Sequence, residues 1–307
     1  CCMTIIIIYY LYAKINYWNQ IKLNSLIPDF TRWILCDKYV AKLYAQQNGF
    51  KVATTYQLVK YPHHIQLRDT CVIKPVDLCD SHGVFLIQHK KDKRINQIIT
   101  KQQISQELYH IRSQIDQEYY MHEKMFQGLI PFTGYIVEEL LLDNGQIPSD
   151  YKCYVFGGTI QLIAHTSERS VINNQQSFHS TWFTREWEPI RIPMINKNYK
   201  CKNIPKPNGF ESMIHLVEAM GKKLRRHCRI DVFLINGEVY FGEFTFFCGA
   251  FLHTLFGNML LGYHWYVNPD DFSYHDPILR KLVPSFYESS SRKEYLVSSE
   301  NKKRYII

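Results

Sequence analysis

Several features that define common protein classes are missing from this chain of 307 residues. Its nine cysteines form no C-x-x-C pair, and their irregular spacing argues against a zinc site or a disulfide framework. The sequence has no internal repeat and no low-complexity linker. These absences exclude metal-stapled small domains and repeat arrays, and they favour reduced thiols in a cytoplasmic protein.

The sequence also lacks an apolar run of membrane-spanning length. Residues 4–13 (TIIIIYYLYA) are apolar but stop at Lys14, well short of the ~20 residues that a spanning helix needs. No positive charge precedes the run, as a signal peptide would require. We therefore expect a buried strand or helix there and no transmembrane segment.

The composition is that of an ordinary globular protein. Hydrophobic residues make up 46% and charged residues 21%, which excludes a disordered chain. The net charge of +8 suits an anionic partner such as nucleotide phosphates or an acidic polymer, but a solvated basic surface explains it equally well. No long stripe of basic residues interleaved with aromatics is present, so we do not expect a nucleic acid partner.

The order of predicted elements indicates an α+β fold. Helices are predicted over 37–48, 101–127 and 211–228, and strands over 50–59, 71–74, 83–88 and 135–142. Hairpins are predicted around Gly157-Gly158 within 150–165 and around Asn236-Gly237 within 229–247. The stretch 168–209, with four prolines, is predicted to be an irregular insertion, and 253–267 to pack in the core.

A first group of residues suits phosphate binding. Lys74 ends a predicted strand, and a turn containing Gly83 follows it. A lysine on a rigid strand supplies positive charge, and a glycine turn lets backbone N–H groups approach phosphate oxygens. Asp77 and Asp80 would repel phosphate unless they point away, so this pattern alone does not decide the function.

A second group places Asp231 and Glu243 on the two strands of the predicted Asn-Gly hairpin, with Arg229 and Thr245 beside them. Two adjacent carboxylates repel unless a cation lies between them, and magnesium suits such a pair. Surface acids on opposite faces of the hairpin are an equally good interpretation of the spacing alone.

Loop parity decides between these alternatives. A plain two-residue Asn236-Gly237 turn pairs Asp231 with Gly242 and turns Glu243 to the opposite face. A shared cation therefore requires a three-residue loop or a β-bulge after the turn. We predict one of these irregularities, with both carboxylates on one face and beside Lys74.

Taken in order over residues 37–250, these features resemble the ATP-grasp superfamily. The resemblance includes Asp37-Lys38 at a helix start, the Lys74 strand with the glycine-containing loop over residues 79–84 (the phosphate loop), and Glu138-Glu139. It ends with the helix that leads into Arg229-Ile-Asp231 and Glu243-Phe-Thr245. The segments KPVDLCDSHGV, DYKCYVFGG and YFGEFTF are most similar to the TupA-like branch.

The resemblance implies a fold of two β-rich lobes that clasp ATP between antiparallel sheets. It divides the chain into an N-terminal region (1–70), a lobe with the phosphate loop (71–142), a lobe with the metal hairpin (143–288) and a polar tail (289–307). The tail is basic and is expected to be disordered.

The resemblance also implies roles for individual residues. Arg229 and Lys74 would be catalytic. ATP would be bound by Lys38, Lys74, Ser81, His82, Gly83, Glu138, Glu139, Leu140, Asp150 and Lys152. Magnesium would be held by Asp231, Glu243 and Thr245. Which hinge glutamate faces adenine stays open, and Thr245 departs from the asparagine that is usual in the superfamily.

The implied activity is ligation of a carboxylate to an amine through an acyl phosphate, with ATP and Mg²⁺. The TupA-like branch suggests a cell-surface polymer or glycan as acceptor. A kinase acting on a hydroxyl, and a non-catalytic nucleotide- or glycan-binding relative, remain alternatives.

Overall fold

The computed structural model describes residues 14–27, 29–78, 81–123, 134–172, 175–247, 252–279 and 281–282. The helices are α1 (Tyr17–Ser25), α2 (Phe30–Leu35), α3 (Lys38–Gln47), α4 (Lys101–Glu123), α5 (Phe210–Leu224) and α6 (Leu255–Val267). The strands are β1 (Thr55–Val59), β2 (Cys71–Pro75), β3 (Phe85–Gln88), β4 (Lys91–Asp92), β5 (Gln97–Ile98), β6 (Tyr135–Glu138), β7 (Asp150–Phe156), β8 (Thr159–Ile172), β9 (Gln175–Thr184), β10 (Cys228–Ile235) and β11 (Glu238–Thr245). A short 3₁₀ helix spans Pro62–His64.

The described residues form two compact units, each built on one antiparallel sheet. The five-stranded unit comprises residues up to Asp29, 45–51 and 143–276, with strand order β11-β10-β7-β8-β9. The six-stranded unit comprises residues 30–44, 52–142 and those beyond 276, with strand order β1-β6-β2-β3-β4-β5. Helices combined with antiparallel sheets confirm the predicted α+β class. The domain limits given by the resemblance stay predictions.

Helix α5 packs closely on the five-stranded sheet. Its residues Met213, Val217, Met220 and Leu224 recur at helical spacing and are buried. Gly221 permits the close approach, because an added Cβ would lie 2.5 Å from a methyl carbon of Val155. The helix thereby fixes the β7–β8 hairpin, which positions part of the candidate site.

A second layer of the five-stranded unit consists of α1 and α6. Tyr17 of α1 and Leu261 and Trp265 of α6 are buried in one cluster with Tyr154 and Trp182 of the sheet. Burying large aromatic side chains of this kind contributes roughly 1.5–3 kcal/mol each. The predicted core role of residues 253–267 is confirmed for one side of α6.

The six-stranded unit has its own apolar core. Ile73, Phe85 and Val137 of the sheet are fully buried, and Leu108 of α4 packs against them. This core makes β2 and β6 rigid neighbours, with Lys74 paired to Ile136 in register.

One predicted irregular region is largely strand. We expected 168–209 to be an insertion, but β8 continues to Ile172 and β9 (Gln175–Thr184) pairs with it along the sheet edge. The prolines that suggested irregular structure all follow Thr184, and residues 185–209 do lack a named helix or strand. The prediction was wrong for the first half of the region.

Other limits differ from the predicted ones by a few residues. The helix predicted over 211–228 ends at Leu224, because Arg225 takes a left-handed conformation (φ 51°) and β10 starts at Cys228. The strand predicted over 50–59 is regular only from Thr55, and that predicted over 135–142 ends at Glu138. Predictions for residues 4–13, 124–127 and 289–307 lie outside the described residues.

Candidate functional site

The β10–β11 hairpin has the turn that its sequence predicts. Ile235 pairs with Glu238, so Asn236 and Gly237 are the only two loop residues. Both have positive φ, 52° and 80°, as the tight turn between twisted strands requires. Glycine suits position 237 because it adopts a φ of 80° without the steric cost that a side chain would add.

A β-bulge follows the turn and brings the two acids opposite each other. Val232 pairs with Phe241, but Asp231 pairs with Glu243, so Gly242 is an extra residue in β11. An added Cβ at Gly242 would lie 2.9 Å from the backbone oxygen of Asp231. The predicted irregularity is confirmed as a bulge. The predicted proximity of Lys74 to these acids stays a prediction.

Arg229 connects three oxygen-bearing side chains on this face. Its Nε donates to Asp231 Oδ1 at 2.6 Å, and its Nη2 donates to Asp231 Oδ2 at 2.8 Å. The same Nη2 lies 3.3 Å from Glu243 Oε1 and 3.0 Å from Thr245 Oγ1. The guanidinium therefore lies between the carboxylates of Asp231 and Glu243 and reduces the repulsion between them.

Lys152 on the neighbouring strand adds a second cation. Its ammonium contacts Asp231 Oδ2 at 2.5 Å and Asp150 Oδ2 at 2.7 Å. Burial opposes ionisation of Asp231, but Arg229 and Lys152 outweigh it and hold the pKa of this carboxyl below its ordinary value. The structure thus brings Asp150, Lys152, Arg229, Asp231, Glu243 and Thr245 together in the five-stranded unit.

The oxygen donors of this group fit magnesium when phosphates complete its shell. Asp231 and Glu243 offer carboxylates and Thr245 offers a hydroxyl, which are hard oxygen ligands. Within the described ranges, no cluster of three or more His, Cys, Asp or Glu side chains that could hold a metal ion is found. Magnesium has octahedral coordination, so an ion held by these three side chains would take its other ligands from phosphates or water.

A separate cluster in the six-stranded unit contains two lysines and one buried carboxylate. Glu138 Oε1 contacts the ammonium of Lys74 at 2.5 Å, and Glu138 Oε2 contacts that of Lys42 at 2.6 Å. Lys42 also donates to Thr55 Oγ1 at 2.9 Å. Burial raises the pKa of Glu138, but the two lysines outweigh it and the net pKa lies below its ordinary value. Burial lowers the pKa of Lys42 despite this carboxylate.

From the sequence, a phosphate-binding role is assigned to Lys38 and none to Lys42. The signal was present, since Lys42 follows Lys38 by four residues and lies one turn further along the same helix. Asp37 caps this helix by accepting hydrogen bonds from the N–H groups of Tyr39 and Val40. The ammonium of Lys38 donates a hydrogen bond to the carbonyl oxygen of Leu78, just before the predicted phosphate loop.

The resemblance places an adenine hinge at Glu138 and Glu139, where β6 ends. Glu139 accepts hydrogen bonds from the N–H and the hydroxyl of Thr54, at 3.0 and 2.8 Å. Leu140 beside it is buried. Glu138 thus points its carboxylate to the lysines and Glu139 to Thr54, while their role at adenine stays a prediction.

The phosphate loop is anchored at its start. Asp77 accepts two hydrogen bonds from Arg112, at 2.7 and 2.8 Å. This ion pair removes the objection that Asp77 would repel phosphate. Ser81 (φ 61°) and Gly83 (φ 69°) both have left-handed backbones, and His82 between them is exposed. Residues 79 and 80, predicted as part of the loop, lie outside the described residues.

Distant similarity to solved ligases accompanies this geometry. D-alanine–D-alanine ligase from Helicobacter pylori is 16% identical, with a TM-score of 0.40 over 76% of this chain and 61% of that one. The D-Ala:D-Ser ligase VanG from Enterococcus faecalis is 18% identical, with a TM-score of 0.41 over 81% and 61%. L-amino acid ligase from Bacillus licheniformis is 14% identical, with a TM-score of 0.43 over 79% and 52%. The chain spans about three fifths of the first two proteins.

Sequence comparison gives a more direct result. No curated protein is significantly similar to the chain. The profile of the TupA-like ATP-grasp family, however, matches residues 18–260, which is most of the chain and includes both groups of site residues. The chain belongs to the TupA-like ATP-grasp family.

Proposed function

We propose that the chain is an ATP- and magnesium-dependent ligase that joins a carboxylate to an amine through an acyl phosphate. The observation that carries the proposal is the pairing of Asp231 with Glu243 across a bulged hairpin, with Arg229 between them. Glu243 keeps 39% of its side chain exposed, so its carboxylate is accessible to a metal–phosphate complex, and Arg229 beside it supplies positive charge for the phosphates.

Asp231, Glu243 and Thr245 would hold the magnesium, and Asp150 with Lys152 would support them. Asp231 stays ionised at neutral pH because Arg229 and Lys152 keep its pKa low despite burial. When bound, magnesium would neutralise negative charge on the phosphates of ATP. Arg229 would donate to a developing oxyanion, since its guanidinium carries five N–H groups and a positive charge.

Lys42 and Lys74 would bind the phosphates of ATP. Both ammonium groups are held by one buried carboxylate, Glu138, which limits their mutual repulsion and fixes their positions. Such preorganised positive charge is what phosphoryl transfer demands of a protein. Lys38 and the loop residues Ser81, His82 and Gly83 are proposed to contact the same phosphates.

The proposed reaction has two steps. A carboxylate oxygen of the first substrate attacks the γ-phosphorus of ATP, the bond to the β-phosphate oxygen breaks, and ADP leaves with that electron pair. The amine nitrogen of the second substrate then attacks the acyl carbon, inorganic phosphate leaves, and the nitrogen loses a proton. The residues named here position and neutralise charge in the first step.

The acceptor and location are further parts of the proposal. Membership of the TupA-like family suggests an acidic cell-surface polymer or glycan precursor as acceptor, and the net charge of +8 is compatible with it. We also propose a cytoplasmic location, since ATP is the cosubstrate and the described cysteines 36, 71, 153, 201 and 228 form no disulfide with one another.

An ADP-release screen over pairs of carboxylates and amines tests this function. A ligase forms ADP only when both substrates are present, and mass spectrometry then finds a product smaller than their sum by one water. ADP formed with one substrate and no amine, together with a phosphorylated hydroxyl, would identify the kinase alternative instead. Glu238→Gln serves as a control for Asp231→Asn, because Glu238 lies on the same hairpin in an exposed pair with Lys51.

A further inference from the structure

Helix α6 is apolar on two opposite sides. Its sequence LFGNMLLGYHWYV contains no Asp, Glu, Lys or Arg. One side is buried against the five-stranded unit through Gly257, Leu261, Gly262 and Trp265. The opposite side is exposed at fractions of 37–64%, through Leu255, Phe256, Tyr263, Tyr266 and Val267. A helix that is apolar all round is ordinarily covered on every side, so the exposed stripe requires an explanation.

Helix α1 lies beside α6 and exposes further apolar residues at and just after its C-terminal end. It packs along α6, where Gly262 lets the backbones of the two helices meet near Ile15. Its C-terminal end exposes Leu23, Leu26 and Ile27 at 62, 69 and 40%. We refer to the exposed apolar residues of α1 and α6 together as the α1–α6 face.

The two helices contribute no negative charge, and two lysines lie beside their aromatic rings. Neither α1 nor α6 contains an acidic residue. The ammonium of Lys14 lies 5.9 Å from the ring centre of Tyr266, and that of Lys22 lies 5.0 Å from the ring centre of Trp18. Cations beside tyrosine and tryptophan rings, next to exposed aliphatic residues, are typical of protein surfaces at the boundary between lipid headgroups and acyl chains.

We propose that the α1–α6 face docks the protein on an anionic lipid surface. Charge complementarity favours this occupant over another protein, because lysines lie beside aromatic rings here and neither helix contains an acid between its described limits. Helix α6 has 13 residues and is about 20 Å long, too short for the ~30 Å hydrocarbon core, so it would lie along the surface. Consistent with this, none of the helices in the described ranges is both long and apolar enough to cross a membrane.

Co-sedimentation with lipid vesicles tests the proposal without any measurement of activity. The chain should bind vesicles of phosphatidylcholine mixed with phosphatidylserine, bind pure phosphatidylcholine weakly, and lose binding as ionic strength rises. Leu255→Glu and Tyr263→Glu should each weaken binding by about tenfold or more, since each removes apolar contact and adds repulsion. Lys22→Gln should weaken binding by about fivefold and flatten its salt dependence.

Ile98→Glu is the matched control. Ile98 is 70% exposed and lies in the six-stranded unit, so the same charge change there should leave vesicle binding unaltered. Glutamate at position 255 should not unfold α6, because an acidic residue suits the first turn of a helix. Near-ultraviolet circular dichroism would verify that each variant is folded.

Two kinds of result would overturn the proposal. The first is no binding to phosphatidylserine vesicles at low ionic strength, or equal binding by wild type, Leu255→Glu and Tyr263→Glu. The second is a concentration-dependent dimer in sedimentation velocity that Leu255→Glu dissociates, without vesicle binding, which would show that a second copy covers the face. Failure of either kind would leave the proposed ligase function untouched.

Discussion

Asp231 and Glu243 are direct partners across the β10–β11 hairpin although the turn between them is a regular two-residue turn. The extra residue Gly242 corrects the parity of the strand and puts both carboxylates on one face. This pairing is the basis of the proposed magnesium site.

Neutralising either acid should abolish turnover while the fold is retained. Asp231→Asn and Glu243→Gln keep the shape of the side chain but remove a charge from the proposed metal site, so we expect losses of about a hundredfold or more in kcat/KM. Steady-state ADP release measures this, with Glu238→Gln as the control that should behave as wild type. Wild-type turnover in both variants would show that neither carboxylate holds an essential metal ion.

The role of the bulge at Gly242 can be tested by substituting and by deleting this residue. Gly242→Val should destabilise the protein by roughly 1–3 kcal/mol, because its Cβ would press on the backbone oxygen of Asp231. Deleting Gly242 should be tolerated better, since a regular hairpin with Ile235 opposite Glu238 then pairs Asp231 with Glu243 directly. Urea unfolding and ADP release compare the two variants. If the deletion lowered stability and ADP release more than Gly242→Val does, the bulge would do more than set the register of the two strands.

Lys42 should matter for nucleotide binding. Lys42→Met should raise the dissociation constant of ATP by about tenfold or more, because it removes a charged hydrogen-bond donor to phosphate. Lys42→Arg should restore part of the affinity, because arginine supplies such a donor again. Isothermal titration calorimetry measures the constant, and Lys51→Met, at an exposed pair, is the control. Normal binding by Lys42→Met, with loss of binding by Lys38→Met, would return the phosphate role to Lys38.

Stability should fall in acid partly through Asp231. Burial disfavours its charge, but Arg229 and Lys152 outweigh burial and lower its pKa, so the folded state binds the proton less readily than the unfolded chain. The stabilisation is fully present above the ordinary pKa of about 3.9 and is lost as pH falls toward the lower folded value. The free energy of unfolding from urea titrations should therefore drop less steeply below about pH 5 in Asp231→Asn than in wild type. Parallel curves for the two proteins would contradict this electrostatic account.

Local signals in the sequence predicted most of the site's framework. Asn236-Gly237 specified the turn, and the even spacing of the two acids then required the bulge that Gly242 provides. Loop parity is a covalent constraint, and it can be worked out before any tertiary contact is known.

What the sequence did not reveal depends on contacts between distant segments. Lys42 is distinguished from Lys38 only by its ion pair with Glu138, which lies 96 residues further along the chain. The polar sequence of β9 does not indicate a strand. Its pairing with β8 stabilises it as one, and this pairing is not visible in the sequence. Arg112 was not noticed because its partner, Asp77, is reached only when α4 folds against the sheet.

Transfer of oxygen from the carboxylate to phosphate tests the proposed ligase chemistry most directly. The carboxylate substrate found in the screen is labelled with ¹⁸O, and the phosphate released with its amine partner is examined by mass spectrometry. An acyl phosphate intermediate predicts one ¹⁸O atom in inorganic phosphate for each amide formed. Unlabelled phosphate, or ¹⁸O found in AMP, would contradict the proposed reaction.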